Sequence, residues 1–531
     1  MKKKLKLLYY NLKNIWFNSM TLLVRIITYL FILLSLNCIS FSQTNNVDWT
    51  DVHNTTRQGI DALYNLDFDK SQEKFDELMN TIPGDPRGYF FSAIRYFFQF
   101  MIYNDDKDFD KFFELSEKVI SICENLIKQN KRDYNAQFFL GGIYGYRGLA
   151  YMLKQSILKA VWDGRKGYGL IKEIIKEKPD LYDAYLGSGL FDYILSKIPK
   201  SYSWVLSTLG YSGDLENGLK HLKIAESKGT YTQQEARFYL SQFLFFERKH
   251  DEAFYYIKKL IKEYPDNTLF LASYADMEVK INKPENAINP CKRAIEINNR
   301  KKLKGVDAQP YLVLANAYYF LNDFKLASDN YELYLKRTTK ESTQRLRNQT
   351  FFYMGMSHEF SGKRDKAIEA YGLAKPGTQN SRQSSHHHLY DRMTEFAKQP
   401  PTAAYKNVIM GNNLFSRQKY ELGEKELLFA LASGSLNDNE KAECCYNLAE
   451  YYYNNKNYDE AQKYFTMVFQ TKPTTQKHLI PYSYFSMGKI MIQNKDFEKA
   501  KHYFNIASAY EDYFSRDRLQ DSIKMYTKKI K

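Results

Sequence analysis

Three groups of residues in this chain have side chains suited to chemistry, and each also has a plainer structural use. The first is the triple histidine His386-His387-His388. Imidazoles bind transition metals, but neighbouring residues on an extended loop point different ways, and a closed site takes further ligands. Asp391 is the only acid close by, so a solvated polar loop is expected. The second is the phrase Trp162-Asp163-Gly164-Arg165-Lys166-Gly167-Tyr168. A hydrolase-like or ligand pocket there requires Asp163, Arg165, Lys166, Asp192 and Tyr146 to converge. The alternative is a helix-linking turn with solvated charges, feeding a helix that Pro179 ends. The third is Cys444-Cys445, which falls within a helical pattern where a strained vicinal disulfide would not fit. Two buried small side chains are the expectation. No HExxH, GxSxG, P-loop or GxGxxG pattern stands in its proper strand context. Gly187-Ser188-Gly189 lies inside a helical run, where it serves close packing, and His358 falls at a packing position. No catalytic residue, metal site or cofactor is expected.

The elements that would position any site are helices. Residues 445–473 contain two helical patterns around a turn at Asn454–Asn457, with Pro473 as terminator. Leu448, Ala449 and Tyr452 share a face of the first helix, and Ala461, Phe465 and Val468 share a face of the second. A pair of small residues twelve apart recurs along the chain: Gly59/Ser71, Ser241/Ala253, Ala275/Ala287, Ala315/Ala327, Gly355/Ala367, Gly411/Gly423 and Gly488/Ala500. Ala275/Ala287 is followed by Cys291 and Ala294, and the others by bulky residues, as in Phe75, Ile257, Tyr331, Tyr371, Leu427 and Phe504. With Ala449/Ala461 this makes eight helical hairpins. From Ser241 the steps are 34, 40, 40, 56, 38 and 39 residues. The N-terminal half instead gives two long helical patterns over 87–130 and another over 134–160. Gly141, Gly145 and Gly148 share one face there, which admits a neighbouring helix very closely. Asp180 is expected to cap a helix over 181–196, and a segment with Pro199, Gly210 and Gly213 interrupts before a helix at 215–227.

These hairpins resemble the tetratricopeptide repeat, whose signature has a small residue at its eighth position, Ala at its twentieth, an aromatic four later and a late Pro. The family's Trp is missing, and all steps but the first exceed its usual spacing of about 34. The phrases GGIYGYRG, WDGRKGYG and DAYLGSGLFDY, within residues 55–260, resemble exported bacterial proteins of this family. More distantly they resemble the N-terminal region of eukaryotic inclusion-body-clearance proteins. The resemblance implies an all-α, right-handed superhelix of antiparallel helix pairs that binds a protein or peptide along its groove. By the family's spacing the groove positions are Asn316, Tyr319 and Phe320; Met356 and Phe360; Asn412 and Phe415; Glu450, Tyr453 and Asn454; and Lys489. Basic residues are nearly missing from them. Such a groove suits apolar or aromatic peptide features held through Asn, and not a bare terminal carboxylate; packing of the same aromatics between repeats is the alternative.

Residues 1–42 hold six cations and no acid, with an apolar run at 26–36 ahead of Ser40-Phe41-Ser42. That pattern is expected of a signal peptide cut after Ser42; translation from Met20, or an uncleaved inner-membrane anchor over 21–39, are the other readings. The expected order is then 43–230 as an irregular helical-repeat region, 231–375 as repeats, 376–402 as a loop or short extra helix, and 403–531 as repeats. The formal charge is +15, but the leader's six cations leave about +9, interspersed with acids along the helices. A nucleic-acid binder gathers its charge into a stripe, so nucleic acid is not an expected partner. Five cysteines, only Cys38, Cys123, Cys291, Cys444 and Cys445 in 531 residues, are too few and too scattered for a disulfide framework. The expected function is an exported, non-enzymatic scaffold in the periplasm or at the periplasmic face of the outer membrane. The alternatives are a ligand-binding or hydrolase-like N-terminal domain with a substrate-recruiting arm, and a peripheral membrane-surface or lipid-associated adaptor.

Overall fold

The computed structural model describes residues 47–198, 213–303, 305–344, 346–376 and 385–529. The leader and the interruption at 199–212 lie outside them. The helices are α1 (Trp49–Tyr64), α2 (Phe68–Thr81), α3 (Arg87–Tyr103), α4 (Asp106–Gln129), α5 (Tyr134–Leu153), α6 (Ile157–Glu177), α7 (Ala184–Ser196), α8 (Leu215–Lys228), α9 (Gln233–Phe246), α10 (His250–Glu263), α11 (Thr268–Lys280) and α12 (Glu285–Lys301). They continue as α13 (Ala308–Phe320), α14 (Phe324–Leu335), α15 (Lys340–Gln344), α16 (Asn348–Phe360), α17 (Arg364–Gly372), α18 (Ser385–Lys398), α19 (Tyr405–Ser416), α20 (Tyr420–Ala432), α21 (Asp438–Asn454), α22 (Tyr458–Phe469), α23 (Leu479–Gln493), α24 (Phe497–Ala509) and α25 (Arg516–Lys529). The described residues include no strand. They form two compact units: one runs to Tyr274 and includes Arg293–Asp307, and the other takes Ala275–Lys292 and the chain from Ala308 onward.

All eight spaced pairs are helix pairs, and one turn joins each of them. Seven residues after the first small residue the backbone turns left-handed: φ is 57° at Leu66, 60° at Arg248, 62° at Asn282, 67° at Asn322, 74° at Gly362, 60° at Gln418, 60° at Lys456 and 62° at Lys495. This closes the first helix with a Schellman pair. In α1, Leu66 N–H donates to the Leu63 carbonyl at 3.0 Å and Asp67 N–H to that of Ala62 at 2.9 Å. The next residue then starts the second helix, and where it is Asp or Asn its side chain accepts an orphan amide. Asp67 takes Lys70 N–H at 3.2 Å, Asn457 takes Glu460 N–H at 3.3 Å and Asp496 takes Lys499 N–H at 3.1 Å.

The small residues mark where the paired helices touch. A Cβ on Gly59 would stand 2.4 Å from the Phe75 ring, and one on Gly488 would stand 2.4 Å from that of Phe504. Phe75 and Phe504 are fully enclosed, and burying each such ring stabilises the fold by roughly 2–3 kcal/mol.

The long pattern at 134–160 breaks at a turn into α5 and α6, which obey the same rule: Gly148 and Ala160 are twelve apart, and Gln155 between them has φ 58°. A Cβ on Gly148 would lie 3.1 Å from the Ala160 carbonyl oxygen, and one on Gly167 would lie 2.6 Å from that of Gly141. The phrase from Trp162 to Tyr168 is therefore not a linking turn but the interior of α6. Gly167 is tolerated there because it lets the α5 backbone approach. The following helix also begins later than expected. Asp180 sits in a turn, paired with Lys178, and α7 starts at Ala184. Asp183 Oδ1 instead reaches across to accept Thr230 N–H at 2.9 Å, Tyr231 N–H at 3.0 Å, Thr232 N–H at 3.0 Å and Thr232 Oγ1 at 2.7 Å. This stitches the start of α7 to the α8–α9 turn.

Candidate functional site

In the C-terminal unit the first helices of successive hairpins, α19, α21 and α23, lie side by side. They carry a row of polar and aromatic side chains. At its closed end is a buried charge pair. Arg392 on α18 donates through Nη2 to Glu443 Oε2 at 2.8 Å, and its guanidinium lies over the Phe352 ring at 5.0 Å. Glu443 also accepts Tyr405 Oη at 2.8 Å, Gln476 Nε2 at 2.7 Å and Asn412 Nδ2 at 3.1 Å. Burial opposes the charge on Arg392, but Glu443 and Tyr405 beside it hold its pKa above the ordinary arginine range. A buried ion pair withstands desolvation better when further donors and acceptors surround it, and here Arg392 Nη2 also donates to the Tyr405 hydroxyl while Glu443 takes three more donors.

The row continues outward from Glu443. Asn447 Nδ2 donates to Asn412 Oδ1 at 2.7 Å, and Ser486 Oγ donates to Glu450 Oε1 at 2.6 Å. Lys489 Nζ lies 4.3 Å from the centre of the Tyr453 ring and 5.4 Å from that of Phe485. Burial lowers the Lys489 pKa, against the pull of Glu450. Phe415 stacks on Tyr451 with centroids 5.0 Å apart, and Asn454 is exposed.

Of the groove positions expected from spacing, Asn412, Phe415, Glu450, Tyr453, Asn454 and Lys489 thus come together along α19, α21 and α23. Those on α13 and α16 do not join them. Tyr319, expected to face the groove, is 2% exposed and packs 4.4 Å from Tyr353, so it fills space between helices. Phe320 lies 5.2 Å from the same ring, Asn316 Oδ1 accepts the Tyr331 hydroxyl at 2.7 Å, Met356 is enclosed and Phe360 packs on Phe324. The reason is that α13 is bonded to α19. Asn413 Nδ2 donates to the Tyr319 carbonyl at 2.8 Å and to Asn322 Oδ1 at 2.8 Å, and Asn322 Nδ2 donates to the Met410 carbonyl at 3.2 Å. The residues that spacing missed are Arg392, Tyr405, Glu443, Asn447 and Gln476. Helical periodicity at Met393 and Phe396 was the available signal for α18, which brings in Arg392.

The other candidates resolve separately. The histidines open α18 and are not a solvated loop. His388 stacks on Phe514 at 5.1 Å and meets His478 at 4.9 Å, beside a cavity of about 650 Å³. Among the described residues no three His, Cys, Asp or Glu side chains are arranged to hold a metal ion. Cys444 and Cys445 are free and buried. The five residues of the hydrolase-like alternative do not converge. Asp163 accepts Arg147 Nε at 2.9 Å, and Asp192 takes Tyr168 Oη at 3.0 Å and Asn217 Nδ2 at 2.8 Å. Tyr146 donates to Glu235 at 3.1 Å, Lys166 lies over Tyr144, and Arg165 is exposed.

Residues 183–345 match the family profile of Iml2/Tetratricopeptide repeat protein 39, and residues 442–474 match that of the tetratricopeptide repeat. No curated protein matches. Similar solved structures include the human IFIT1 dimer with m7Gppp-AAAA, at 12% identity and a TM-score of 0.34, over 88% of this chain and 95% of that one. Another is the human IFIT1 dimer with PPP-AAAA, at 10% identity and a TM-score of 0.27, over the same shares. Repeats of this kind stack into extended surfaces that mediate protein–protein interaction. The two matched stretches are thus tetratricopeptide repeats, and the shared hairpin with its recurrent turn carries the same architecture along the other described helix pairs.

Proposed function

We propose that the chain is a non-catalytic scaffold that holds an extended segment of another protein along α19, α21 and α23. The observation that carries this reading is the half-buried row Asn412, Asn447, Glu450, Tyr453 and Lys489 across three consecutive hairpins. Amide side chains can pair with peptide N–H and C=O groups, and the Tyr453 and Phe415 rings offer apolar seats between them. Arg392 is already matched by Glu443, so the row favours an internal segment with aromatic or aliphatic side chains over a C-terminal carboxylate. A photo-crosslinking residue at Tyr453 should capture a partner that the same residue at Phe429, 67% exposed on α20, does not. Asn447→Ala with Tyr453→Ala should abolish co-purification of that partner. Equal capture at both positions, or full recovery with the double variant, refutes the row as the binding surface.

The scaffold is proposed to work in the cell envelope after export. Support comes from the acid-free leader and the small residues Ser40 and Ser42. No helix among the described residues is long and apolar enough to cross a membrane. Mass spectrometry of the protein recovered from cells should find Gln43 as its first residue. A peptide spanning Ser42–Gln43 in the mature protein overturns cleavage at that point.

A further inference from the structure

Among the described residues, the end of the α5–α6 hairpin presents an exposed apolar face. Leu158 is 84% exposed, Trp162 63% and Val161 47%. Their spacing of three and four residues puts them on one side of α6. Arg165 extends the same stripe, and Lys159 and Lys166 flank it. Lys159 Nζ lies over the Tyr151 ring at 5.3 Å and Lys166 Nζ over that of Tyr144 at 4.8 Å. The acids nearby are engaged, Glu117 with Arg147 among them. Asp163 is buried against Arg147, Asp106 is paired with Lys154, and Asp105 caps α4 through Lys107 N–H at 2.9 Å. The tip is therefore apolar at its centre and positive around it.

We infer that this tip is a site for shallow insertion into an anionic lipid surface. Its charge is complementary to acidic headgroups, which attract each nearby Lys or Arg. A Trp beside leucine and valine, flanked by Lys and Arg with long apolar stems, matches the layered polarity of a membrane interface. A stable protein interface covers roughly 800 Å² on each partner. A convex helix end with one apolar face two turns long offers much less, whereas a wedge in the headgroup layer needs no more. This surface shares no residue with the proposed peptide row, so either can fail alone.

The test uses the full chain, Trp162 fluorescence and vesicles of equimolar phosphatidylglycerol and phosphatidylcholine carrying brominated acyl chains. The leader is itself apolar and basic and contains Trp16, so the signal read is the difference between wild type and Trp162→Phe. Bromine should quench that difference signal with phosphatidylglycerol present and leave it unchanged with phosphatidylcholine alone. Lys159→Glu with Lys166→Glu should weaken the quenching by about thirtyfold or more in lipid concentration, and Leu158→Ser should weaken it in the same direction. All three positions are exposed, so melting temperatures should not move. Absence of quenching overturns the proposal. So does equal quenching by neutral vesicles, or tip-dependent self-association of the chain without lipid, which would make the face a contact between copies.

Discussion

His358 makes the C-terminal unit sensitive to acid, by an amount that follows from its surroundings. The side chain is 2% exposed on α16, with Nδ1 2.8 Å from Ser328 Oγ. Burial holds its pKa down to about 4; Glu332 and Asp329 pull upward while Lys363 and Lys366 push down. An unfolded histidine titrates near 6.5. Because the folded value is depressed, the unfolded chain takes up a proton first as the pH falls. Stability is therefore intact above about 6.5 and is lost as the pH drops toward 4. The loss is about 2 kcal/mol at pH 5 and about 3 kcal/mol by pH 4, from the separation of the two values. The perturbation is His358→Gln, which keeps a polar partner for Ser328 but removes the titration. Two compact units need not unfold together, so a local readout is required. Hydrogen exchange of peptides from α14, α16 and α17, corrected for the intrinsic effect of pH, supplies it. Between pH 7 and pH 5 the wild type should lose about 2 kcal/mol more protection free energy than the variant. The same pH dependence in both proteins, or a larger loss in the variant, refutes the assignment of this acid sensitivity to His358.

The closed end of the row yields a second expectation: Glu443→Gln strands the buried Arg392 charge, and should cost about 3 kcal/mol in the urea unfolding free energy of the C-terminal unit. On α6 the same substitution should have opposite signs two residues apart. Gly167→Ala drives a methyl to within 2.6 Å of the Gly141 carbonyl oxygen and should lower thermal stability, by about 2 kcal/mol or more. Gly169→Ala meets nothing within 4 Å and should raise it by up to about 1 kcal/mol. At Lys495, where φ is 62°, substitution by Gly should relieve left-handed strain and stabilise by about 1 kcal/mol. Burial pushes the Cys445 thiol up to about 11 and raises Cys444 further, so iodoacetamide should label both only after unfolding.

The hairpins were legible because they rest on local geometry that the residue types report. Twelve residues separate the two small side chains at a helix crossing, and a bulky residue four further on fills the space over the first. Asn322, Gly362, Asp67 and Asn457 are ordinary choices for the turn, but Leu66 is not. Its left-handed backbone is imposed by the Schellman closure, and its 3% exposed side chain is held in the core. The α5–α6 pair escaped the same rule although Gly148 and Ala160 obey it. Helices of 20 and 21 residues hid a short turn at Lys154–Ser156 that contains neither Gly nor Pro. Inside α6, Gly167 looked like a loop residue because its use, a close approach to α5, is a tertiary contact.

The site was less legible for a different reason. Groove positions copied from one hairpin to the next assume that every hairpin is offset from its neighbour by the same rotation, so that equivalent residues line one open surface. The 56-residue step breaks that assumption. It adds α18, and this helix brings Arg392 against Glu443 on α21 and Phe396 within 5.7 Å of Tyr405 on α19. The extra helix interrupts the regular succession, and α13 is bonded directly to α19 through Asn413 and Asn322. Tyr319, Phe320 and Asn316 then become packing residues although their place within the hairpin is unchanged. Beyond α19 the steps return to 38 and 39 residues, and the row from Asn412 to Tyr453 stays accessible. The insertion thus decides which part of the inner surface is core and which part can meet another chain.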